Sequence, residues 1–383
     1  MESTRRNQMQ YRTYGKTGEE ISLLGFGTMR MPTHPDGKLN HEESIEMIRY
    51  AIDHGVNYVD TAYMYHDGES EIAVGKALKD GYRDKVILAD KMPVWLAKDE
   101  KEMADIFEEQ FSRLGIDSID FYLVHNITGA IWKRAKRFGI IEFLEKQKEA
   151  GRIREIGFSF HDDYSVFQEV LDEYNWDFVQ IQLNYMDTEF QAGIKGLKYA
   201  GEKGIPVIVM EPLKGGKLTD SIPTQIKAFW EESDTKRPPV EWALRWVADF
   251  PEVLTILSGV HNMDQLKENI EILSSAKANT LDKKEKDIIE KVSREYNKLI
   301  EYSCTGCKYC LPCQVKLDIP AIIDLYNQWN LFEGNEKIKK DYDMWFGKER
   351  IASSCIACGQ CEDQCPQSLP IIEIMEKAAK RFD

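Results

Sequence analysis

The first 303 residues contain no cysteine, so that part of the chain can form neither a disulfide nor a thiolate metal site. No stretch approaches the roughly 18 apolar residues of a membrane-spanning helix. The polar start, MESTRRNQMQYRTYGK, lacks the apolar core of a secretion signal. The expected setting is therefore the cytoplasm, with no membrane partner. Basic residues are in deficit: 50 Lys+Arg against 65 Asp+Glu give a net charge of −15, which argues against a nucleic-acid partner. Also missing is a G-x-G-x-x-G turn after a strand, the usual mark of an open, doubly wound nucleotide-binding sheet.

What the sequence does contain, from about residue 20 to 276, is a regular alternation. Short apolar runs occur at 21–29, 56–62, 86–92, 118–125, 155–160, 178–185, 205–213 and 252–260. They are rich in Val, Ile, Phe and Tyr, and several are too continuously apolar to leave one face in water. Amphipathic helical patterns such as 43–55, 99–115 and 263–273 lie between them, and Gly55, Gly115 and Gly204 suit helix stops. Eight such units of about 30 residues predict an α/β fold, a closed (β/α)8 TIM barrel. Residues 9–27 read as a hairpin ahead of the first barrel strand, turning at Gly15–Gly18. The expected division is a barrel over 1–280, a charged linking helix over 281–300, and a small, mainly helical domain over 301–383.

In a parallel barrel the chemistry sits at the C-terminal ends of the strands. Those ends read Asp60, Lys91 and His125 on the second, third and fourth strands, with Tyr65 in the loop after the second. A carboxylate, an ammonium, a phenol and an imidazole form a proton-transfer site. Lys91 can stabilise the phenolate of Tyr65, Asp60 can hold Lys91 charged, and His125 can orient a carbonyl oxygen.

These segments, DTAYMYHDGESEIAVGKAL (60–78), ILADKMP (87–93) and DFYLVHN (120–126), resemble the aldo-keto reductase family in residue type, order and spacing. The likeness runs over about residues 9–276. It implies hydride transfer between NADP(H) or NAD(H) and a small aldehyde or ketone, with Tyr65 rather than Tyr63 as general acid. His66 departs from the family's glycine. For the cofactor, the resemblance points to Gly27, Thr28 and Met29 at the first strand end and to Ser159 and Gln182 at the nicotinamide carboxamide. It further points to Met210, Leu213 and Gly215 on the following loop, to Ser258, Gly259 and Gln265 near the adenosine ribose, and to Glu268 and Asn269 at the adenine. Phe160 stands where the family has a carboxamide-binding Asn, with His161 beside it. The basic residues expected around a 2′-phosphate are missing at Gly259, Val260 and Gln265, so NAD is as well supported as NADP unless Lys214 or Lys217 compensates.

All eight cysteines fall in two combs near the C-terminus. The second, Cys355, Cys358, Cys361 and Cys365 followed by Pro366, is the bacterial ferredoxin spacing for a [4Fe-4S] cluster. The first, Cys304, Cys307, Cys310 and Cys313, has a shorter last interval and Gln314 in place of proline. Where fourth cysteines cross between combs, one cluster takes Cys304, Cys307, Cys310 and Cys365, and the other takes Cys355, Cys358, Cys361 and Cys313. The intervening segment is helical in pattern and resembles helical ferredoxin domains attached to larger oxidoreductases. Two four-cysteine zinc sites are the alternative use of the same residues.

Joined, the halves allow an NAD(P)-linked carbonyl reductase whose clusters are structural, dock a partner, or pass electrons to a ferredoxin-like one. The alternative is an electron-transfer protein whose barrel is a modified or scaffold site.

Overall fold

The computed structural model describes residues 9–220, 222–302, 304, 310–332, 334–365 and 368–383. Cys307 and Pro366 lie outside the described residues. The chain divides into two compact units, residues 1–215 with 238–282 and residues 216–237 with 283–383.

The first unit opens with an antiparallel hairpin, β1 (Tyr11–Tyr14) and β2 (Glu19–Ser22). Eight strands follow: β3 (Leu24–Gly27), β4 (Tyr58–Asp60), β5 (Ile87–Met92), β6 (Ile119–Ile127), β7 (Ile153–Phe160), β8 (Phe178–Gln182), β9 (Val207–Met210) and β10 (Val253–Gly259). They pair in parallel and close into a barrel in the order β10-β3-β4-β5-β6-β7-β8-β9. All eight expected strands are present, so the fold is the α/β barrel that the alternation predicts.

The barrel interior holds Tyr14, Tyr58, Ala89, Phe121, Leu123, Phe178 and Ile208 in one apolar cluster. Phe121 is its centre, in edge contact with Tyr14 at 5.3 Å, Tyr58 at 5.7 Å and Phe178 at 4.5 Å between ring centroids. Because side chains alternate along a strand, the residue two positions beyond each plug residue also faces inward, one layer nearer the mouth. Tyr58 is thus followed by Asp60, Ala89 by Lys91, Leu123 by His125 and Ile208 by Met210. Glycine makes room for this filling at Gly157, where a Cβ would come within 2.6 Å of the Phe178 ring. The opposite strand faces pack against the surrounding helices in a second, larger cluster.

The second unit is helical. Its main helices are Lys283–Lys298, Ile319–Leu331, Glu336–Phe346 and Ile371–Phe382, joined by Thr224–Glu232 from the segment after β9. Lys291 binds Glu232 at 2.5 Å and Arg237 pairs with Glu285, which ties that segment to the first of these helices. The chain end is fixed by Phe382 stacking on Tyr342 at 4.6 Å, while Asp383 accepts from the Tyr342 hydroxyl at 2.7 Å. Among the described residues no helix is long and apolar enough to cross a membrane.

Candidate active site

The two-residue step along β4, β5 and β6 brings Asp60, Lys91 and His125 to the barrel mouth, all three buried. Lys91 Nζ donates to Asp60 Oδ1 at 2.6 Å and to the Thr61 carbonyl at 2.7 Å, and lies 3.4 Å from the Tyr65 hydroxyl. The Tyr65 and His125 rings meet edge to face at 6.0 Å. Tyr63 points elsewhere and donates its hydroxyl to Glu109 at 2.7 Å.

Burial raises the pKa of Tyr65, and this outweighs the opposing pull of the Lys91 charge. The phenol is therefore held protonated, the reverse of the lowering that sequence reasoning assigns to Lys91. Burial also lifts Asp60, against the attraction of Lys91. The pair keeps Lys91 charged: Asp60 and Tyr65 raise its pKa in spite of desolvation. His125 is pushed well below the usual imidazole range by burial, then by Lys91 and His161. It is a neutral imidazole, and its Nδ1 is buried without a hydrogen-bond partner among the described residues. The buried Lys91–Asp60 pair is also a structural element. Lys91→Met is expected to cost about 3–5 kcal/mol in urea unfolding, because Asp60 is left buried without a counter-ion. Adding Asp60→Asn should recover much of that loss.

The loop after β4 explains the family's glycine at position 66. His66, Asp67 and Gly68 run consecutively through left-handed backbone at φ 51°, 56° and 91°. Non-glycine residues adopt such values at a cost and tend to do so at functional sites. Asn126, Gln191, Glu211 and Lys214 have the same conformation on other mouth loops.

The expected cofactor residues divide into groups. At the first strand end, Thr28 Oγ1 donates to the Asp60 carbonyl at 2.9 Å, Gly27 packs on the Ser258–Gly259 backbone, and Met29 is exposed. Ser159 Oγ accepts from the Asn126 N–H at 2.7 Å, which leaves its own hydroxyl proton to donate. Gln182 donates to Asp187 at 2.8 Å, and Met210 Sδ receives Gln180 at 3.6 Å. Leu213 is half-buried, and Gly215 sits in left-handed backbone on the same loop. Gln265 Oε1 accepts from the His261 N–H at 2.9 Å. Glu268 is exposed, whereas Asn269 is buried and donates to Ser258 Oγ at 2.8 Å. Lys214 is held by Asp187 at 2.7 Å, and Lys217, in the second unit, lies 3.3 Å from Asp341.

Two features, Arg30 and a carboxyl pair behind Lys91, escaped sequence reasoning, whereas Trp95, Trp132 and Tyr185 stand near strand ends where the sequence offers them as pocket residues. Arg30 lies against Gly215 and Gly259 and pairs with Glu211 at 3.1 Å, a cation at the strand end suited to a diphosphate. Trp95 lies over His125 at 5.1 Å, whereas Trp132 and Tyr185 are buried in packing. Behind Lys91, Asp90 and Glu71 form a buried carboxyl pair, both with raised pKa from desolvation. Asp90 accepts from the Lys91 N–H at 2.8 Å and Gln110 donates to the Lys91 carbonyl at 3.0 Å, so the lysine's backbone is held on both sides.

In the second unit one small pocket, with a free volume of about 20 Å³, is lined by Cys310, Cys313, Cys355, Cys358 and Cys361. Its remaining wall is largely apolar, with Leu317, Ile319, Ile371 and Met375. Ala357 at φ 52° and Gly359 at φ 79° place left-handed backbone within the second comb. Among the described residues no three His, Cys, Asp or Glu side chains are placed to hold a metal ion, and it is the spacing of the cysteines around this apolar pocket that suits an iron–sulfur cluster.

A parallel barrel whose mouth gathers tyrosine, lysine, aspartate and a neutral histidine can hold and move a proton at a bound substrate. Residues 23–294 match the Aldo/keto reductase family, and the chain belongs to it. Residues 303–369 match the 4Fe-4S dicluster domain. The chain is 27% identical over 309 residues to the NADH-specific methylglyoxal reductase of Escherichia coli (strain K12), spanning 68% of this chain and 92% of that one. The holo form of aldo-keto reductase AKR11C1 from Bacillus halodurans superimposes with a TM-score of 0.63 at 26% identity, covering 74% of this chain and 96% of that one. An aldo/keto reductase from Klebsiella pneumoniae in complex with NADP and acetate gives a TM-score of 0.58 at 25% identity, covering 72% and 93%.

Proposed function

We propose that the barrel reduces an aldehyde or ketone at the expense of NADH or NADPH, with Tyr65 as the general acid, and that the C-terminal domain holds two [4Fe-4S] clusters. The observation that carries the reading is the Lys91 ammonium placed 2.6 Å from Asp60 and 3.4 Å from the Tyr65 hydroxyl. A bound nicotinamide supplies a hydride, two electrons at once, and a bound cluster exchanges one electron at a time.

The protein's part is proton transfer and charge placement. Neutral His125 donates a hydrogen bond to the substrate carbonyl oxygen and orients it. As the carbonyl carbon gains hydride, its C=O π bond opens and the oxygen takes the phenol proton of Tyr65. The phenolate left behind is stabilised by Lys91, which Asp60 keeps charged. Ser159 and Gln182 would hold the carboxamide, Met210 the ring, and Gly27, Thr28, Leu213, Gly215 and Arg30 the diphosphate side. With Lys214 committed to Asp187 and no base at Gly259, Val260 or Gln265, NADH is expected to match or exceed NADPH in kcat/KM. A hundredfold preference for NADPH in steady-state assays would contradict this.

In the second domain, Cys313, Cys355, Cys358 and Cys361 would hold one cluster, and Cys304, Cys307, Cys310 and Cys365 the other. The setting is a cytoplasmic protein with a small carbonyl substrate and a ferredoxin-like redox partner. Anaerobically purified, cluster-loaded protein mixed with NADH or NADPH, with and without an aldehyde, tests the reading. Aldehyde-dependent loss of nicotinamide absorbance with the clusters unchanged supports a reductase whose clusters serve docking. Bleaching of the clusters by NADH or NADPH supports electron transfer to the partner, and neither change overturns both.

A further inference from the structure

The sequence between Asp120 and Glu142 contains four basic residues, Lys133, Arg134, Lys136 and Arg137, and no acidic one, in a chain of net charge −15. They fall on the helix Gly129–Arg137, capped by Thr128. This helix begins two residues after β6, the strand that carries His125, so it stands at the barrel mouth. Among the described residues, Lys136 alone of the four has a carboxylate partner, Glu173 at 2.7 Å. Among the described residues, Lys133 and Arg137 form no ion pair.

Ala130, Lys133, Arg134 and Arg137 share one helix face, three and four positions apart. With Ile131 they line a shallow depression of about 400 Å³. Arg134 donates to the Val94 carbonyl at 3.3 Å and to that of Ala97. Those carbonyls flank the turn bearing Trp95, whose ring lies over His125. Arg134 and Arg137 both rest on the Phe138 ring, at 5.0 and 5.2 Å, which limits the positions of the Arg137 guanidinium. The depression is therefore linked to the mouth through the Trp95 turn.

Its place in the ring separates it from the nucleotide. In the barrel order β6 lies four strands from β10 in either direction, directly across the mouth from Ser258, Gly259 and the helix Met263–Ser275. The cofactor phosphates of the proposed function belong to the β10 and β3 side. We infer that Lys133 and Arg137 form a subsite for an anionic group on the substrate, a carboxylate or phosphate remote from the carbonyl. The inference rests on the carbonyl-reductase reading. Paired guanidinium and ammonium donors without a counter-ion suit such a group, and the surrounding negative charge would otherwise repel it.

The test compares 6-oxohexanoate with hexanal, which share a chain length and differ in the terminal carboxylate. The ratio of their kcat/KM values, with hexanal as internal reference, is expected to favour the anion at least tenfold in low salt and to fall as ionic strength rises. Lys133→Glu/Arg137→Glu should remove that preference through KM, and Lys133→Gln/Arg137→Gln should remove part of it. An unchanged ratio in both variants overturns the inference, including the case in which the patch docks an acidic protein instead. If the parent chain reduces neither aldehyde, the reductase reading fails, and calorimetric binding of adipate still decides the subsite. Binding lost in the Glu variant supports it, and binding absent from the parent or retained in the variant refutes it.

Discussion

Tyr65→Phe is expected to lower kcat for aldehyde reduction by about 10²- to 10⁴-fold, the contribution of a positioned general acid. The substitution removes one oxygen and keeps the ring, so its contacts with His125 and the Lys91 ammonium survive. NADH or NADPH should bind the variant with little change, measured by quenching of protein fluorescence. That separates loss of the proton donor from loss of the site. The pH profile adds a second readout. Burial raises the Tyr65 pKa above its ordinary value near 10 even with Lys91 alongside. The acid form is therefore fully present at neutral pH and is lost only as pH rises through the raised value. Reduction by the parent enzyme should stay level to at least about pH 9, because a phenol of pKa above about 10 is still protonated there. A decline centred near neutrality would point to another acid. His125 is a poor candidate for that role, since burial and the Lys91 charge hold it neutral.

The strands, the tetrad and the cysteine combs were legible because each rests on a local pattern. Continuous apolar runs at regular spacing mark a barrel, and strand-end position alone picks out Asp60, Lys91 and His125. What remained hidden depends on partners far apart in sequence. Asp90 faces the helix layer on β5, opposite in sense to Lys91, and meets Glu71 from the preceding helix. Neither residue's neighbours in sequence announce a buried carboxyl pair. Lys214 reads from the sequence as a candidate phosphate ligand, whereas Asp187, on another loop, holds it. The direction of the Tyr65 shift likewise depends on how deeply the phenol is buried against the Lys91 charge, a balance that spacing does not contain. The grouping of residues 216–237 with the helix Lys283–Lys298 arises from pairs such as Lys291–Glu232, again between distant segments.

Replacing Cys361 by Ala is expected to remove one cluster, lowering iron from about eight to about four per chain when two four-iron clusters are present. Cys313→Ala should do the same, although Cys313 belongs to the other comb and lacks the following proline. The reason is the crossing of fourth cysteines between combs, which lends Cys313 to the cluster of Cys355, Cys358 and Cys361; Cys313 lines the same pocket as those three, and so does Cys310. The double variant discriminates between crossed and uncrossed combs. If Cys313 and Cys361 serve the same cluster, the double loses no more iron than either single and retains about four, because the second substitution removes a ligand from a site already lost. If each comb closes on itself, the two substitutions strike different clusters and iron falls towards zero. Cys304→Ala/Cys361→Ala is the positive control, since it should empty both sites under either arrangement. Iron and acid-labile sulfide analysis on anaerobically purified protein reads the count, and the electron paramagnetic resonance of the reduced protein reports the loss of coupling between two clusters. Cys310 also lines the pocket, so Cys310→Ala/Cys361→Ala checks a third possibility: crossed and uncrossed combs both predict loss of both clusters, and retention of four irons would move Cys310 into the set that Cys313 is expected to complete.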